Sequence, residues 1–141
     1  MAVPYLACMA LVASVYHLPP RVLPSIQAVE GGRVGTVSHN SNGTDDLGVM
    51  QVNTIWLPAL VSYTGLPMET VRQRLVNEPC FNIAAAGAIM ALHLRENGGE
   101  LMGAVGNYHS RTPALHDIYL AKVIASAGRL FAAPPPAGRR G

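Results

Sequence analysis

Glu30 is the residue from which chemistry can be argued first. It closes a short apolar run and is followed at once by Gly31 and Gly32, the residue type that most readily takes the left-handed conformation ending a helix. That order predicts Glu30 in a last helical turn. A carboxylate there faces the negative end of the helix dipole, and apolar walls would add to the effect, since both favour the protonated form. A carboxyl with a raised pKa is what a general acid needs near neutral pH. Downstream, a polar stretch from Gly31 to Asp46 leads into Leu47-Gly48-Val49-Met50-Gln51-Val52-Asn53. Gln51 and Asn53 supply amide donors and acceptors able to read hydroxyl and N-acetyl groups, with an exposed helical glutamine as the alternative for Gln51. Gly48 would let its segment approach a ligand or the Glu30 helix closely.

Other chemistries find less support. His17, His39, His93, His109 and His116 show no His-x-x-x-His or paired-cysteine spacing, so no metal site is expected. No phosphate-cradling glycine loop is present and no cofactor is expected. Ser110, His116 and Asp117 can be strung into a triad on paper, but no Gly-x-Ser-x-Gly elbow or other nucleophile signature accompanies them.

The elements that must position Glu30 read as helices. Tyr5 to Leu18 has the apolarity of a signal-peptide core, yet it lacks a basic leader and is too short to span a bilayer. We read it as the first helix of a mature domain, with any export signal removed or absent; an uncleaved signal is the alternative. Leu18-Pro19-Pro20 forces a corner, and the next helix starts near Leu23 with Pro24 in its first turn and Ile26 and Val29 inward. The loop from Gly31 to Asp46 carries no hydrophobic period, so it is predicted irregular and surface-lying, and long loops in compact domains are often functional. Asp45 and Asp46 read as the N-cap of a following helix in preference to a catalytic role. That helix is predicted from Leu47 to Leu60, on the spacing of Val49, Val52 and Trp56.

A short helix follows over Met68 to Leu75. Asn82 then caps the most apolar segment, Ile83 to Asn97, whose stripe of Ile83, Ala86, Gly87, Met90 and Leu94 predicts the central helix. Glu100 to Asn107 forms a short helix leading to Tyr108, and Pro113 to Phe131 a last one with Leu115, Ile118, Tyr119 and Val123 inward. No strand pair, internal repeat or second domain is evident. Residues 1–131 read as one domain and 132–141 as a disordered Pro/Gly/Arg tail.

Composition sets the remaining bounds. The 141 residues are enough for one domain with a real core. Charged residues make up only 13%, the net charge is +2, and no Lys/Arg cluster exists beyond Arg139-Arg140, which argues against nucleic acid as a partner. A weak positive balance suits an anionic polymer without demanding one. Cys8 and Cys80 allow one intramolecular pairing or two buried free thiols, and the residues alone leave that open.

Taken together, the pattern resembles the lytic transglycosylases, goose-lysozyme-like enzymes that cleave bacterial peptidoglycan. The stretch Leu47 to Asn53 resembles the family's Gly-Leu-Met-Gln-Ile motif, and Asn107-Tyr108-His109-Ser110 resembles its later Ala-Tyr-Asn motif. The small, single-domain branch associated with secretion and conjugation adds Asn-x-Asn-Gly-Thr, Trp-Leu-Pro and Pro-Cys-x-Asn-Ile, matched here by Asn40 to Thr44, Trp56 to Pro58 and Pro79 to Ile83. The likeness runs roughly from Cys8 to Tyr119, and the order and spacing of the motifs carry it.

The resemblance implies a mainly α, compact, lysozyme-like helical domain with a long polar active-site loop. It implies Glu30 as the catalytic acid, Asn42, Gly48, Gln51, Asn53 and Tyr108 at the substrate, and a Cys8–Cys80 disulfide formed in an oxidising compartment, the periplasm. Tyr108 would sit by Glu30, orienting it or stabilising the intermediate; a half-buried core tyrosine is the alternative. The implied partners are peptidoglycan glycan strands and a secretion, conjugation or pilus machine, with the chain acting as a monomer.

Most glycosidases need two carboxylates, but a substrate that carries its own nucleophile removes the second requirement. The N-acetyl group of N-acetylmuramic acid is such a nucleophile, and the implied product is a 1,6-anhydro sugar formed without water. Three positions depart from the family: Gly31 stands where a serine usually follows the glutamate, Val52 replaces isoleucine, and His109 replaces a frequent asparagine. Rival expectations are a hydrolase of the goose-lysozyme kind in which Asp45 or Asp46 positions a water, a wall-binding assembly module, and a small helical adaptor.

Overall fold

A computed structural model describes residues 3–132 of the chain. Seven helices are present among them: α1 (Leu6–Tyr16), α2 (Val22–Glu30), α3 (Leu57–Thr64), α4 (Met68–Asn77), α5 (Pro79–Glu96), α6 (Leu101–His109) and α7 (Pro113–Leu130). The mainly α, lysozyme-like expectation holds. Helix α5 is central, packed against α1, α4, α6 and α2, while α7 closes the far side against α2 and α6. Ile83, Ala86 and Met90 of α5 are fully buried with Met9 of α1, Leu23 and Ile26 of α2, and Val71 and Leu75 of α4. Gly87 lies against Val12 and Tyr16, where a side chain would collide with Val12, so its bareness sets the close approach of α1 to α5. Of the tail expected over 132–141, all but Ala132 lies outside the described residues.

Cys8 of α1 and Cys80 at the start of α5 form a disulfide across a sequence separation of 72, with Cα atoms 5.5 Å apart. Closing a loop of that length stabilises the fold by about 4 kcal/mol in the chain-entropy account.

The segment after α2 departs most from expectation. A small antiparallel sheet is present where no strand pair was expected: β1 (Val37–His39), β2 (Asp45–Leu47) and β3 (Val52–Asn53), in the order β1-β2-β3. Register pairs His39 with Asp45 and Leu47 with Val52. The helix expected from Leu47 to Leu60 is therefore a strand end, a turn, a strand, a 3-10 turn over Thr54–Trp56 and only then α3. Gly48 and Gln51 have φ of 69° and 53°, left-handed values that no continuous α-helix contains. Val49, Met50 and Val52 are buried, so their spacing reported burial in a turn and strand, not a helical face.

Asn82 explains how that turn is tolerated. Because Pro79 starts α5 four residues earlier than expected, Asn82 is inside the helix and caps nothing. Its Oδ1 accepts from the Met50 N–H at 2.8 Å, and its Nδ2 donates to Leu47 O at 2.7 Å and Leu75 O at 2.9 Å. A buried amide thus satisfies three backbone groups that would otherwise be orphaned. Asp45 and Asp46 cap no helix either, since they sit in β2. In α7, Tyr119 and Val123 are buried as expected, but Leu115 and Ile118 are 50% and 57% exposed. Helix α7 packs on α2 and α6, but Leu115, one turn before the buried Tyr119, lies at the open cleft rather than in the core.

Candidate active site

Helix α2 ends at Glu30 because Gly31 takes φ 66° and its N–H closes on Gln27 O at 2.8 Å. Gly32 follows with backbone carbonyls of Gly48 and Val49 against its Cα. The close approach of the motif segment to the Glu30 helix therefore depends on Gly32. Gly48 itself abuts Leu75 O and Asn82, away from the cleft described next.

Glu30 opens into a cleft of about 840 Å³, walled by the β1–β2 turn on one side and by α5, α6 and the segment after α6 on the other. Asn42, Gln51, Asn53 and Tyr108 also line it, so five of the six residues expected at the site are brought together and Gly48 is not. Tyr119 was expected only as a core residue, yet its hydroxyl donates to Glu30 Oε2 at 2.8 Å. The available signal was general: a buried tyrosine hydroxyl needs a partner. Its ring stacks on His109, centroids 4.9 Å apart, which fixes its aim. Tyr108 instead donates to Met50 O at 2.9 Å, tying α6 to the turn before β3.

The electrostatics follow from this packing. Burial pushes the Glu30 carboxyl up from 4.5 to about 7; the Tyr119 hydrogen bond pulls the other way, and the negative charge of Asp46 adds to the rise. Burial and the nearby Glu30 keep the Tyr108 and Tyr119 hydroxyls protonated, well above their ordinary values. Near pH 7, then, Glu30 exchanges a proton in either direction at little cost.

The two aspartates part company. Asp45 pairs with His39 Nδ1 at 2.7 Å and Arg72 Nη2 at 3.0 Å, which hold its carboxyl below the usual range. Its place is outside the cleft wall. Asp46 faces the cleft, but both its oxygens accept amide hydrogens: Asn40 Nδ2 at 3.1 Å and Asn53 Nδ2 at 3.0 Å. The same Asn53 amide donates to Thr44 Oγ1 at 3.0 Å, while its Oδ1 accepts from Ile55 N–H at 2.9 Å. Asn42 Oδ1 is occupied by the Thr44 N–H and hydroxyl, which leaves its amide nitrogen for the cleft. Gln51 donates to Gly48 O at 3.0 Å and keeps its carbonyl oxygen available. The cleft wall opposite α6 is thus a hydrogen-bonded polar platform, rigid before any ligand arrives.

His93 and Trp56 complete the far end of the cleft, edge to face at 5.6 Å. Burial lowers the His93 pKa, favouring the neutral ring. Chemically, the arrangement offers one proton-exchanging carboxyl, a tyrosine that orients it, and amide groups able to exchange hydrogen bonds with a polar ligand.

No protein-family model matches the chain. At 26% identity over 113 residues, 79% of this chain and 67% of the relative, it is similar to the Invasion protein IagB of Salmonella typhimurium and to that of Salmonella typhi.

Proposed function

We propose that the chain is a peptidoglycan lytic transglycosylase that cleaves the MurNAc–GlcNAc β-1,4 bond and leaves a 1,6-anhydro-MurNAc end. One observation carries the reading: Glu30, poised near pH 7, is the cleft carboxyl held by a hydroxyl alone, while Asp46 is engaged by two amides. Such a site suits a substrate that brings its own nucleophile. Glu30 gives its proton to the glycosidic oxygen as the N-acetyl oxygen closes on the anomeric carbon, forming an oxazolinium and freeing the leaving sugar. The Glu30 carboxylate then takes the proton of the 6-hydroxyl, whose oxygen attacks the anomeric carbon and reopens the N-acetyl group. The acid is restored and no water is consumed. Tyr119 holds Glu30 in line for both transfers, while Gln51, Asn42 and Tyr108 shape the sugar subsites.

The disulfide suits an oxidising compartment, and we place the chain in the periplasm, opening the wall locally for a secretion, conjugation or pilus machine. The likeness to a protein named for invasion is in keeping with that service. The test is mass spectrometry of fragments released from purified sacculi by the wild type and by Glu30→Gln. Anhydro ends that vanish in the variant are expected. Asp46, by facing the cleft, favours hydrolysis as a second reading, with a water held on that carboxylate; fragments heavier by one water, lost in Asp46→Asn, would establish it instead. No fragments from the wild type would refute both.

A further inference from the structure

A second cavity, about 540 Å³, lies between α3 and α5. Trp56 and Ile89 line both it and the cleft, so the two hollows share an edge. Ala59, Ala88 and Ala91 line it with methyl groups only, which keeps it wide. On one side stand Tyr16 and Tyr63, hydroxyls 3.1 Å apart, with Tyr63 69% exposed. At the other end is Arg95, exposed in the last turn of α5. No ion pair among the described residues engages Arg95, as none engages Arg21, Arg33 or Arg129, but Arg95 alone of these lines the groove. The groove is therefore apolar with a single unmatched cation at its end.

That combination fits a short peptide with small apolar side chains and a free carboxylate. Peptidoglycan carries such a peptide on the lactyl group of each muramic acid, beside the glycan chain. From the shared edge at Trp56 and the charge of Arg95, we infer that this groove holds the acidic stem peptide of the strand whose sugars occupy the cleft. Arg95 takes a peptide carboxylate in a charge-assisted pair, the alanines accept methyl side chains, and Tyr63 covers the peptide backbone. The inference rests on the peptidoglycan reading of the cleft and deepens it: the enzyme selects peptide-bearing strands over naked glycan.

Binding without turnover separates the two claims. Glu30→Gln is titrated calorimetrically with soluble glycan strands of one length, either bearing tetrapeptides or stripped of them by an amidase. Peptide-bearing strands are expected to bind about tenfold tighter, the order of one charge-assisted contact. Adding Arg95→Ala removes most of that difference and leaves stripped-strand affinity unchanged. Adding Arg95→Glu makes the peptide-bearing strands the weaker ligand. Because Arg95 is exposed and unpaired, neither change disturbs the fold, which thermal melting verifies. Equal affinity for the two ligands, or a preference that survives both Arg95 variants, overturns the inference and leaves the cleft reading standing. Failure of both ligands to bind overturns the cleft reading, and the inference with it.

Discussion

Replacing Glu30 by glutamine should stabilise the protein, and only at the pH where the glutamate is charged. In the fold its carboxyl titrates near 7, in the unfolded chain near 4.5. A raised folded pKa means that the contribution of Glu30 is fully present below pH 4.5 and is lost as pH climbs through 7. The gap, at about 1.36 kcal/mol per pH unit, sets a ceiling of about 3 kcal/mol on the wild type's loss between pH 4.5 and pH 9. Glutamine keeps an oxygen for the Tyr119 hydroxyl and has no charge to desolvate, so the variant escapes the loss. Urea unfolding with the disulfide intact, at pH 5 and pH 9, measures it. We expect little difference between the proteins at pH 5 and a variant more stable by about 2–3 kcal/mol at pH 9, or roughly 8 °C in Tm. Equal stability at both values, or a variant destabilised at pH 9, would refute the claim that Glu30 is held protonated by its surroundings.

Tyr119→Phe removes the hydrogen bond that favours the carboxylate, so the Glu30 pKa rises and the alkaline limb of the lytic pH profile should move up by about one unit; an unmoved limb would sever Tyr119 from catalysis. Asn82→Ala strips partners from Met50 N, Leu47 O and Leu75 O in the core, and denaturant unfolding should register a loss of about 3 kcal/mol or more. Reduction of Cys8–Cys80, or Cys80→Ser, should lower stability by about 4 kcal/mol by the same measurement, and a loss below 1 kcal/mol would argue against the pairing.

How far the site was legible depended on whether a residue's role is set by its chain neighbours. Glu30 followed by Gly31 is a local statement about where a helix stops, and the structure keeps it. The stripe of α5 was equally local, because its apolar period exceeds two turns of helix. The stretch Leu47 to Asn53 misled for a reason visible in Asn82: Val49 and Val52 are three apart in a turn whose backbone groups are satisfied from α5, thirty or more residues along the chain. Tyr119 was read as core for the same reason, since the acceptor that gives its hydroxyl a purpose lies on α2. Asp45 and Asp46 looked like one capping pair, and only the hairpin register sends one to Arg72 and the other to the cleft.

By itself the sequence determined the helical class, the central helix, the end of α2 at a carboxylate and the polar character of the loop that follows. These depend on interactions within a few residues, which composition and period record directly. Tertiary structure alone decided that the loop is a three-stranded platform, that Glu30 is buried enough to titrate near 7, that Tyr119 rather than Tyr108 reaches it, and that Arg95 faces a groove beside the cleft. Desolvation and pairing of that kind arise between elements distant in the chain, where no local pattern registers them.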